Sequence, residues 1–131
     1  MYAGSAHSVE KGARLLEEAF IARRRVLGPV SIHTLRTKYF LSLAYNDFGQ
    51  IDNAILLIEE CMADCLRTLG RTHADTVRVM YGLARHYDAK GEADKACILY
   101  RETLASQIEI FGELHPSTLY LKQLLASMEG K

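Results

Sequence analysis

The sequence repeats itself every 42 residues, and this period constrains the fold more than any other feature. Residues of the same type keep this spacing without a gap at Gly28, Gly70 and Gly112, at Thr34, Thr76 and Thr118, and at Leu15, Leu57 and Leu99. A fixed period of this length is typical of repeat architectures, in which each unit is too small to bury its apolar face alone. The chain is therefore expected to stack similar units side by side.

Each full repeat is predicted to contain two helices. In residues 34–70 the apolar side chains recur at helical spacing in two segments, one ending at Gly49 and the other at Gly70. Residues 76–112 repeat the pattern, with Gly91 at the place of Gly49. Glycine adopts the left-handed conformation easily, so we expect Gly49 and Gly91 to end one helix and let the chain reverse.

Incomplete repeats flank the two full ones. Residues 11–28 match only the second helix of a repeat, and residues 117–129 match only the first. Residues 1–10 match neither and are expected to form a disordered or tag-like lead. The sequence therefore predicts an all-α fold of about six helices, arranged as a single solenoid over residues 11–129 with a concave and a convex side.

Composition places the chain among ordinary globular proteins without a strong electrostatic preference. Its 131 residues are 49% hydrophobic and 24% charged, which suits one domain. Sixteen basic and sixteen acidic residues cancel, so neither nucleic acid nor an anionic membrane is an expected partner. The longest uncharged apolar run, residues 54–58, is too short to span a bilayer, and no export signal is visible. The expected location is cytoplasmic.

The three cysteines do not form a metal or redox motif. Cys61, Cys65 and Cys97 lack the Cys-x-x-Cys spacing that such chemistry commonly uses. We expect small, buried, reduced thiols of the kind found in cytosolic proteins.

The histidines between the repeats could be interpreted as metal ligands, but their spacing opposes this. His33, His73 and His115 would lie on successive layers of the solenoid, about 10 Å apart, whereas a zinc ion needs three or four donors at about 2 Å. We expect each of them to pack or hydrogen-bond within its turn. His86 is expected at the surface or in a groove. No metal site is predicted.

The polar residues after these histidines are interpreted as helix starts. Asp75, Ser117 or the neighbouring threonines are predicted to cap the next helix, and Pro116 is predicted to lie in a first turn. No Ser/His/Asp order, glycine-rich phosphate loop or metal-binding motif occurs in the sequence. We therefore predict neither an enzyme nor a cofactor.

The order of residues within each repeat resembles the tetratricopeptide repeat. The first repeat carries the pattern as Leu41, Ser42, Tyr45, Gly49, Ala54, Ile58 and Cys61, and the second as Leu83, Ala84, Tyr87, Gly91, Ala96, Tyr100 and Thr103. Members of this family usually repeat at about 34 residues. The longer period, with Leu69-Gly70-x-x-His73-x-x-Thr76 between the repeats, resembles the kinesin light chain subclass. The resemblance covers residues 11–129 and implies a right-handed superhelix.

The resemblance also implies which residues face a partner, because in this family the first helix of each repeat lines a concave groove. The corresponding positions are Arg36, Tyr39, Asn46, Arg78, Tyr81, Arg85, Asp88, Tyr120 and Gln123. Guanidinium groups grip carboxylates, and phenols contact backbone and apolar side chains, so this set suits an acidic or C-terminal peptide. The alternative is that some of the tyrosines fill the seam between helices.

Two functions are compatible with these observations. The first is a non-catalytic protein–protein interaction scaffold that binds an extended, acidic peptide segment of another protein in its groove. The second is a structural or self-assembly module of a larger signalling or NLR-like protein, which pairs as a homodimer through its terminal helices. For such pairing, Leu121, Leu124 and Leu125 are expected to form an exposed apolar stripe.

Overall fold

The computed structural model describes the backbone of residues 2–130 and the side chains of residues 10–130. Over this part of the chain the fold is all α and contains no strand, as predicted. The helices are α1 (Tyr2–Leu27), α2 (Ile32–Asp47), α3 (Ile51–Thr68), α4 (Ala74–Lys90), α5 (Ala93–Phe111) and α6 (Pro116–Glu129). None of these helices combines the length and the apolar character that a membrane span requires.

The helices form two compact units. Helices α1, α2 and α3 belong to the first unit (Met1–Thr68), in which α2 packs against both α1 and α3. Helices α4, α5 and α6 belong to the second unit (Leu69–Lys131), in which α5 packs against both α4 and α6. The middle helix of each unit therefore has buried residues on the sides that face its two neighbours.

Left-handed glycines end the first helix of each hairpin, as predicted. Gly49 and Gly91 have φ angles of 88° and 93°, where a side chain would strain the backbone. The amide of Glu92 then donates a hydrogen bond to the carbonyl of Tyr87 at 2.9 Å, which satisfies one of the last carbonyls of α4. The chain can therefore reverse between α4 and α5 within a few residues.

The first helix of each repeat begins on a capping residue, and these residues lie one period apart. In α2 the acceptor is Oγ of Ser31, 3.2 Å from a backbone nitrogen of the first turn. In α4 and α6 it is Nδ1 of His73 and Nδ1 of His115, at 3.0 Å and 3.1 Å from such a nitrogen. The predicted hydrogen-bonding role is thereby confirmed for His73 and His115. His33 differs, because it is an exposed residue of the first turn of α2 rather than part of the connection.

The prediction that Asp75, Ser117 or a threonine caps α4 and α6 is wrong. The capping side chain is the preceding histidine, because Nδ1 of a neutral imidazole can accept a hydrogen bond as a serine oxygen does. Asp75 and Ser117 supply the donating amides instead. Pro116 lies in the first turn of α6, as predicted.

Small residues allow the two helices of each hairpin to approach closely. Ser42 and Ala54 are fully buried in the first unit, and Ala84 and Ala96 are fully buried in the second. Larger buried side chains fill the remaining space, namely Leu41, Ile58, Leu83, Tyr87 and Tyr100. Removing this apolar surface from water is the main driving force for folding each unit.

Two expectations about exposure are wrong. His86 is only 3% exposed, although it was expected at the surface or in a groove. Buried residues occupy most of the circumference of α4, and His86 lies among them. Leu121 and Leu125 are 1% and 5% exposed because α6 packs against α5, and Leu124 is half-buried, so these leucines form no exposed stripe.

Helix α1 extends further toward the N-terminus than predicted. It includes residues 2–10, for which the sequence pattern predicts a disordered or tag-like lead. No proline occurs before Pro29 to stop a helix that continues from the residues that follow. Met1 lies outside the described residues.

The cysteines are free thiols and belong mainly to the core. Cys61 and Cys65 are fully buried, whereas Cys97 is half-buried. The thiol of Cys61 donates a hydrogen bond to the carbonyl of Leu35 at 3.4 Å. The hydrogen bond with Cys65, followed by burial, raises the pKa of Cys61. Among the side chains that the structure describes, no three from His, Cys, Asp or Glu lie close enough together to hold a metal ion.

Candidate functional site

The second unit contains a groove with a volume of about 550 Å³. Three helices border it, namely α4, the C-terminal half of α5, and the N-terminal part of α6. All of its lining residues belong to the second unit. The groove is therefore formed within a single compact unit.

One wall of the groove is a single face of α4. Ala74, Val77, Arg78 and Tyr81 line this wall. Their spacing of three and four residues places them on one side of a helix. Since α4 begins directly after the histidine cap, Ala74 lies at the entrance to this face and Tyr81 two turns further along.

The opposite wall is formed by α6. Pro116, Ser117, Tyr120 and Leu121 line it. Tyr120 stands one 42-residue period after Arg78, so equivalent faces of two first helices border the groove. Tyr120 is 57% exposed, whereas Leu121 is buried and gives this wall its apolar base.

Helix α5 forms the third side of the groove with Gln107 and Phe111, which lie one helical turn apart. The Phe111 ring stacks on the imidazole of His115, with ring centroids 4.6 Å apart. Because His115 also caps α6, this stacking links the α5 side of the groove to the start of the opposite wall. The Gln107 side chain is nearly completely buried.

Arg78 provides a positive charge that is only partly used inside the protein. Its Nη1 donates a hydrogen bond to Oδ1 of Asp75 at 3.1 Å. The Asp75 side chain is 7% exposed, whereas that of Arg78 is 49% exposed. A guanidinium group has five N–H donors in a planar fork, so one bond to Asp75 leaves donors that a ligand can use.

Two phenols meet at the groove. Tyr81 and Tyr120 both line it. Burial, and after it the hydrogen-bonding and charge influence of Tyr120, raise the pKa of Tyr81, and Arg85 opposes the rise. Tyr81 therefore stays neutral at physiological pH and can both donate and accept hydrogen bonds.

The Tyr81 ring has two further contacts within the second unit. The guanidinium carbon of Arg85 lies 5.9 Å from the ring centroid, within cation–π range. The Tyr100 ring packs against the Tyr81 ring at a tilt, with ring centroids 5.8 Å apart. Burial, followed by the charge of Asp88, raises the pKa of Tyr100 to about 12. Tyr81 is therefore fixed by its neighbours before any ligand arrives.

Most residues predicted for a site in the second unit lie close to one another. Arg78, Tyr81 and Tyr120 line the groove, and Arg85 contacts Tyr81. The charge of Asp88 helps to raise the pKa of Tyr100, whose ring packs against that of Tyr81. That these side chains contact a partner stays a prediction.

The other predicted residues do not line this groove. Gln123 is an exposed residue of α6, while Arg36, Tyr39 and Asn46 belong to the first unit. Arg36 is exposed there and Asn46 is half-buried. The Tyr39 ring packs edge to face on Phe40 with ring centroids 5.3 Å apart. A binding role for these four residues stays a prediction.

A smaller cavity of about 160 Å³ lies in the first unit, and the buried charge that lines it is already paired with acidic residues of the same unit. Nζ of Lys38 lies 3.5 Å from a carboxylate oxygen of Glu60 and 3.7 Å from one of Asp64. The same ammonium group lies 5.9 Å from the centroid of the Phe20 ring. Because internal partners surround this buried charge, the cavity is a weaker candidate for a ligand site than the groove.

Gln107 and Phe111 are lining residues that the sequence did not predict. The family pattern assigns the groove to the first helix of each repeat, and these two residues lie on a second helix. One signal for Gln107 was present, because it stands 42 residues after Cys65, which is fully buried. A polar side chain at a core position of a repeat indicates a specific hydrogen-bonding need.

Comparison with known proteins supports one family. The tetratricopeptide repeat family matches residues 34–75. The chain is also similar to the crystal structure of a Podosopora anserina protein assigned as kinesin light chain, with nearly identical TPR-like repeats. Sequence identity is 28%, the TM-score is 0.85, and the alignment covers 97% of this chain and 60% of that chain. A single-substitution form of that protein gives the same identity and TM-score, with coverage of 97% and 59%.

The extent of these matches agrees with the repeat structure. Residues 34–75 are one full period of the sequence, and they contain the hairpin of α2 and α3. The chain spans about 60% of the length of the similar crystal structures. No curated protein matches the chain significantly. The matched family, the 42-residue period, the helical hairpins and the structural similarity together support a tetratricopeptide-repeat domain of the kinesin light chain-like type.

Proposed function

We propose that this chain is a non-catalytic scaffold that binds an extended, acidic peptide segment of a partner protein in the groove of its second unit. Tetratricopeptide repeats generally mediate protein–protein interactions, and such scaffolds are generally non-catalytic. The observation that carries the finer proposal is the chemistry of the groove, which combines a half-exposed arginine with aromatic and aliphatic side chains.

The charge of the groove favours an acidic ligand. Arg78 stands half-exposed on one wall, and Arg85 lies beside Tyr81. None of the described residues that line the groove is acidic. Asp75 pairs with Arg78 but is itself 5% exposed, so it presents little negative surface. A carboxylate in the groove would therefore meet N–H donors with little competing negative charge nearby.

The apolar lining favours a hydrophobic side chain close to that carboxylate. Val77, Phe111 and Leu121 line the groove together with the two tyrosines. The volume of about 550 Å³ lies within the range of roughly 300–1,000 Å³ that is typical of ligand sites. An extended peptide can present an apolar and an acidic side chain while its backbone N–H and C=O groups remain available for hydrogen bonds.

The proposal includes a cytoplasmic location and requires no cofactor. Cys61, Cys65 and Cys97 are free thiols, which are typical of a reducing compartment. The binding chemistry described for the groove uses only protein side chains. Arg36, Tyr39, Asn46 and Gln123 remain further proposed contacts for a peptide.

Self-association is a second candidate, and exposed residues of α1 favour it. Leu15, Ile21 and Val26 are 57%, 65% and 76% exposed. Exposed apolar side chains on a terminal helix can be covered by a second copy of the chain. In this alternative the chain is a self-assembly module of a larger signalling or NLR-like protein and forms a homodimer through α1. Sedimentation equilibrium tests it, because a monomer at every concentration would contradict homodimer formation.

Peptide binding to the whole chain tests the proposed function. Synthetic peptides that combine Asp or Glu with Leu or Phe are screened by fluorescence anisotropy, and the tightest binder is kept as the probe. The combined variant Arg36→Glu, Arg78→Glu and Arg85→Glu is expected to lose at least about tenfold in affinity, because each new carboxylate repels that of the peptide. Helical circular dichroism checks that the variant folds, because Arg78→Glu places a carboxylate beside the buried Asp75. Arg78→Gln adds no such charge, so it should keep the helical signal and still weaken binding.

Arg25→Glu is the matched control for the combined variant. It makes the same charge change at an exposed arginine of α1 that does not line the groove. Its affinity should stay within about twofold of the unmodified chain, because distant exposed charges are screened by salt. If no acidic peptide binds the unmodified chain, or if the triple variant binds as tightly, the proposed function is wrong.

A further inference from the structure

Gln107 is a buried polar residue at the groove whose hydrogen-bonding capacity is not fully used. The residue is 9% exposed and belongs to the groove lining. Its Oε1 atom is buried and has no hydrogen-bond partner among the described residues. A buried acceptor without a partner destabilises the protein that carries it. A groove-lining residue with such an atom is a candidate for a hydrogen bond that a ligand completes.

The position of Oε1 distinguishes it from other buried oxygens. The side-chain oxygens of Ser106 and Thr118 also lack a hydrogen-bond partner in the described part of the chain. Only Gln107 of these three lines the groove. Gln107 therefore borders space that a ligand can occupy while its Oε1 atom is enclosed beside that space, whereas Ser106 and Thr118 do not line the groove.

The repeat shows what this position requires for packing alone. The equivalent residue of the first unit is Cys65, which lies 42 residues earlier and is fully buried. A thiol behaves as a small apolar side chain in a core, so packing of the second helix does not need a carboxamide. The amide of Gln107 adds one strong acceptor and two donors that its repeat counterpart lacks.

The neighbours of Gln107 indicate what kind of molecule would use this acceptor. Phe111 lies one turn along the same helix, Leu121 lies on the α6 wall, and Arg78 lies on the α4 wall. A ligand that fits these groups carries an apolar side chain, a carboxylate and, between them, an N–H donor. The terminal torsion of a glutamine is soft, so a small rotation can turn Oε1 toward such a donor.

We propose that Gln107 is a specificity-determining residue of the groove, where Oε1 accepts a hydrogen bond from a backbone N–H of an extended peptide. In this arrangement the peptide places an apolar side chain against Phe111 and a carboxylate on Arg78. The inference rests on the proposed function and deepens it. The first helices supply charge and aromatic surface, while the second helix holds the backbone of the peptide.

Two substitutions separate this role from a structural one. Gln107→Met keeps the length of the side chain and removes the amide, and Gln107→Cys installs the residue that the first unit has at this position. Gln107→Met should unfold at the same temperature as the unmodified chain or higher, because the buried acceptor is gone. Gln107→Cys also removes the acceptor, but its shorter side chain leaves a cavity, so it can unfold at a somewhat lower temperature. Both should bind the acidic probe peptide about five- to tenfold more weakly, the loss of about one hydrogen bond.

N-methylation of the probe peptide identifies the bond itself. A series of peptides, each methylated at one backbone nitrogen, is titrated against the unmodified chain and against Gln107→Met. Methylation at one position should weaken binding to the unmodified chain by about the same factor as the Met substitution. At that position the Met variant should bind the methylated and unmethylated peptides nearly equally, because the two changes remove one and the same interaction.

The outcomes separate this inference from the proposed function. If acidic peptides bind and both Gln107 variants bind them as tightly as the unmodified chain, the inference is wrong and the proposed function stands. The same holds if every methylation effect is equally large in the unmodified chain and in the Met variant. Absence of peptide binding to the unmodified chain overturns both. Should Gln107→Met fail to fold, Gln107→Cys carries the same comparison.

Discussion

Tyr81 has a polar and an apolar role at the same time. Its side chain lines the groove together with Tyr120, while its ring packs beside Arg85 and Tyr100. The sequence left open whether such tyrosines line a groove or fill the seam between helices. In this unit one side chain does both, because a phenol is large enough to contact the core with its ring and the groove with its hydroxyl.

The raised pKa of Tyr100 predicts that the protein becomes less stable in alkaline solution. Its ordinary pKa is about 10, and its pKa in the folded protein is about 12. As the pH rises above 10, the unfolded chain releases this proton first, so the contribution of Tyr100 to stability is complete below pH 10 and is lost toward pH 12. Between pH 9 and pH 11 the unmodified chain should lose about 1 kcal/mol more stability than Tyr100→Phe.

Urea unfolding of both proteins at the two pH values measures this difference. Comparing the two chains cancels the titration of the lysines and the other tyrosines, which both of them contain. The stability difference between the chains should change with pH in the stated direction. A difference that is the same at pH 9 and pH 11 would contradict the burial argument for Tyr100.

At the scale of the helices, chemically different side chains perform one capping task. Ser31 caps α2, and histidines at the equivalent positions cap α4 and α6. The period shows the equivalence, since these residues are 42 positions apart. Composition-based cap preferences favour Ser, Thr, Asp and Asn, which is why Asp75 was predicted instead of His73.

Substitution of His73 tests whether the cap matters for stability. His73→Ala removes the acceptor and should lower the free energy of unfolding by about 1 kcal/mol. His73→Ser installs the residue that the first unit uses, so it should stay within a few tenths of a kcal/mol of the unmodified chain. Thermal and chemical unfolding at pH 8 measures both. Equal destabilisation by the two substitutions would show that the hydrogen bond to the Asp75 amide contributes nothing.

The helices themselves were largely predictable, for identifiable reasons. Glycines with left-handed φ angles mark the ends of helices, and Pro116 marks a beginning, because few other residues fit those positions. The N-terminal part of α1 was not predictable, since residues 2–10 lie outside the repeat and have no equivalent in another unit. Burial of His86 depends on how much of α4 is enclosed, which the apolar spacing of a single helix does not reveal.

At the scale of the whole molecule, recognition is proposed to depend on local chemistry rather than on overall charge. The 131-residue chain carries equal numbers of basic and acidic residues. A balanced chain produces no strong long-range attraction for a charged partner. An acidic peptide would therefore be recognised by the few groups that meet it at short range, of which Arg78 is the most exposed charge lining the groove.

The candidate site was predictable only on two of its three sides. The family pattern indicated Arg78, Tyr81 and Tyr120 because it assigns the groove to the first helices. The α5 side, with Gln107 and Phe111, depends on which residues of a second helix reach between two first helices. Helix packing decides which residues these are. The only sign of it in the repeat is that Gln107 stands where the first unit has the buried Cys65.

Titration of the isotope-labelled whole chain with the acidic probe peptide tests the central claim most directly, since NMR follows every backbone amide. The account predicts that the largest shift changes occur at the residues lining the groove, among them Val77, Arg78, Tyr81, Gln107 and Tyr120. Amides of α1 around Arg25 should move little. Largest changes on α1, or no changes with a peptide that binds, would contradict the assignment of recognition to this groove.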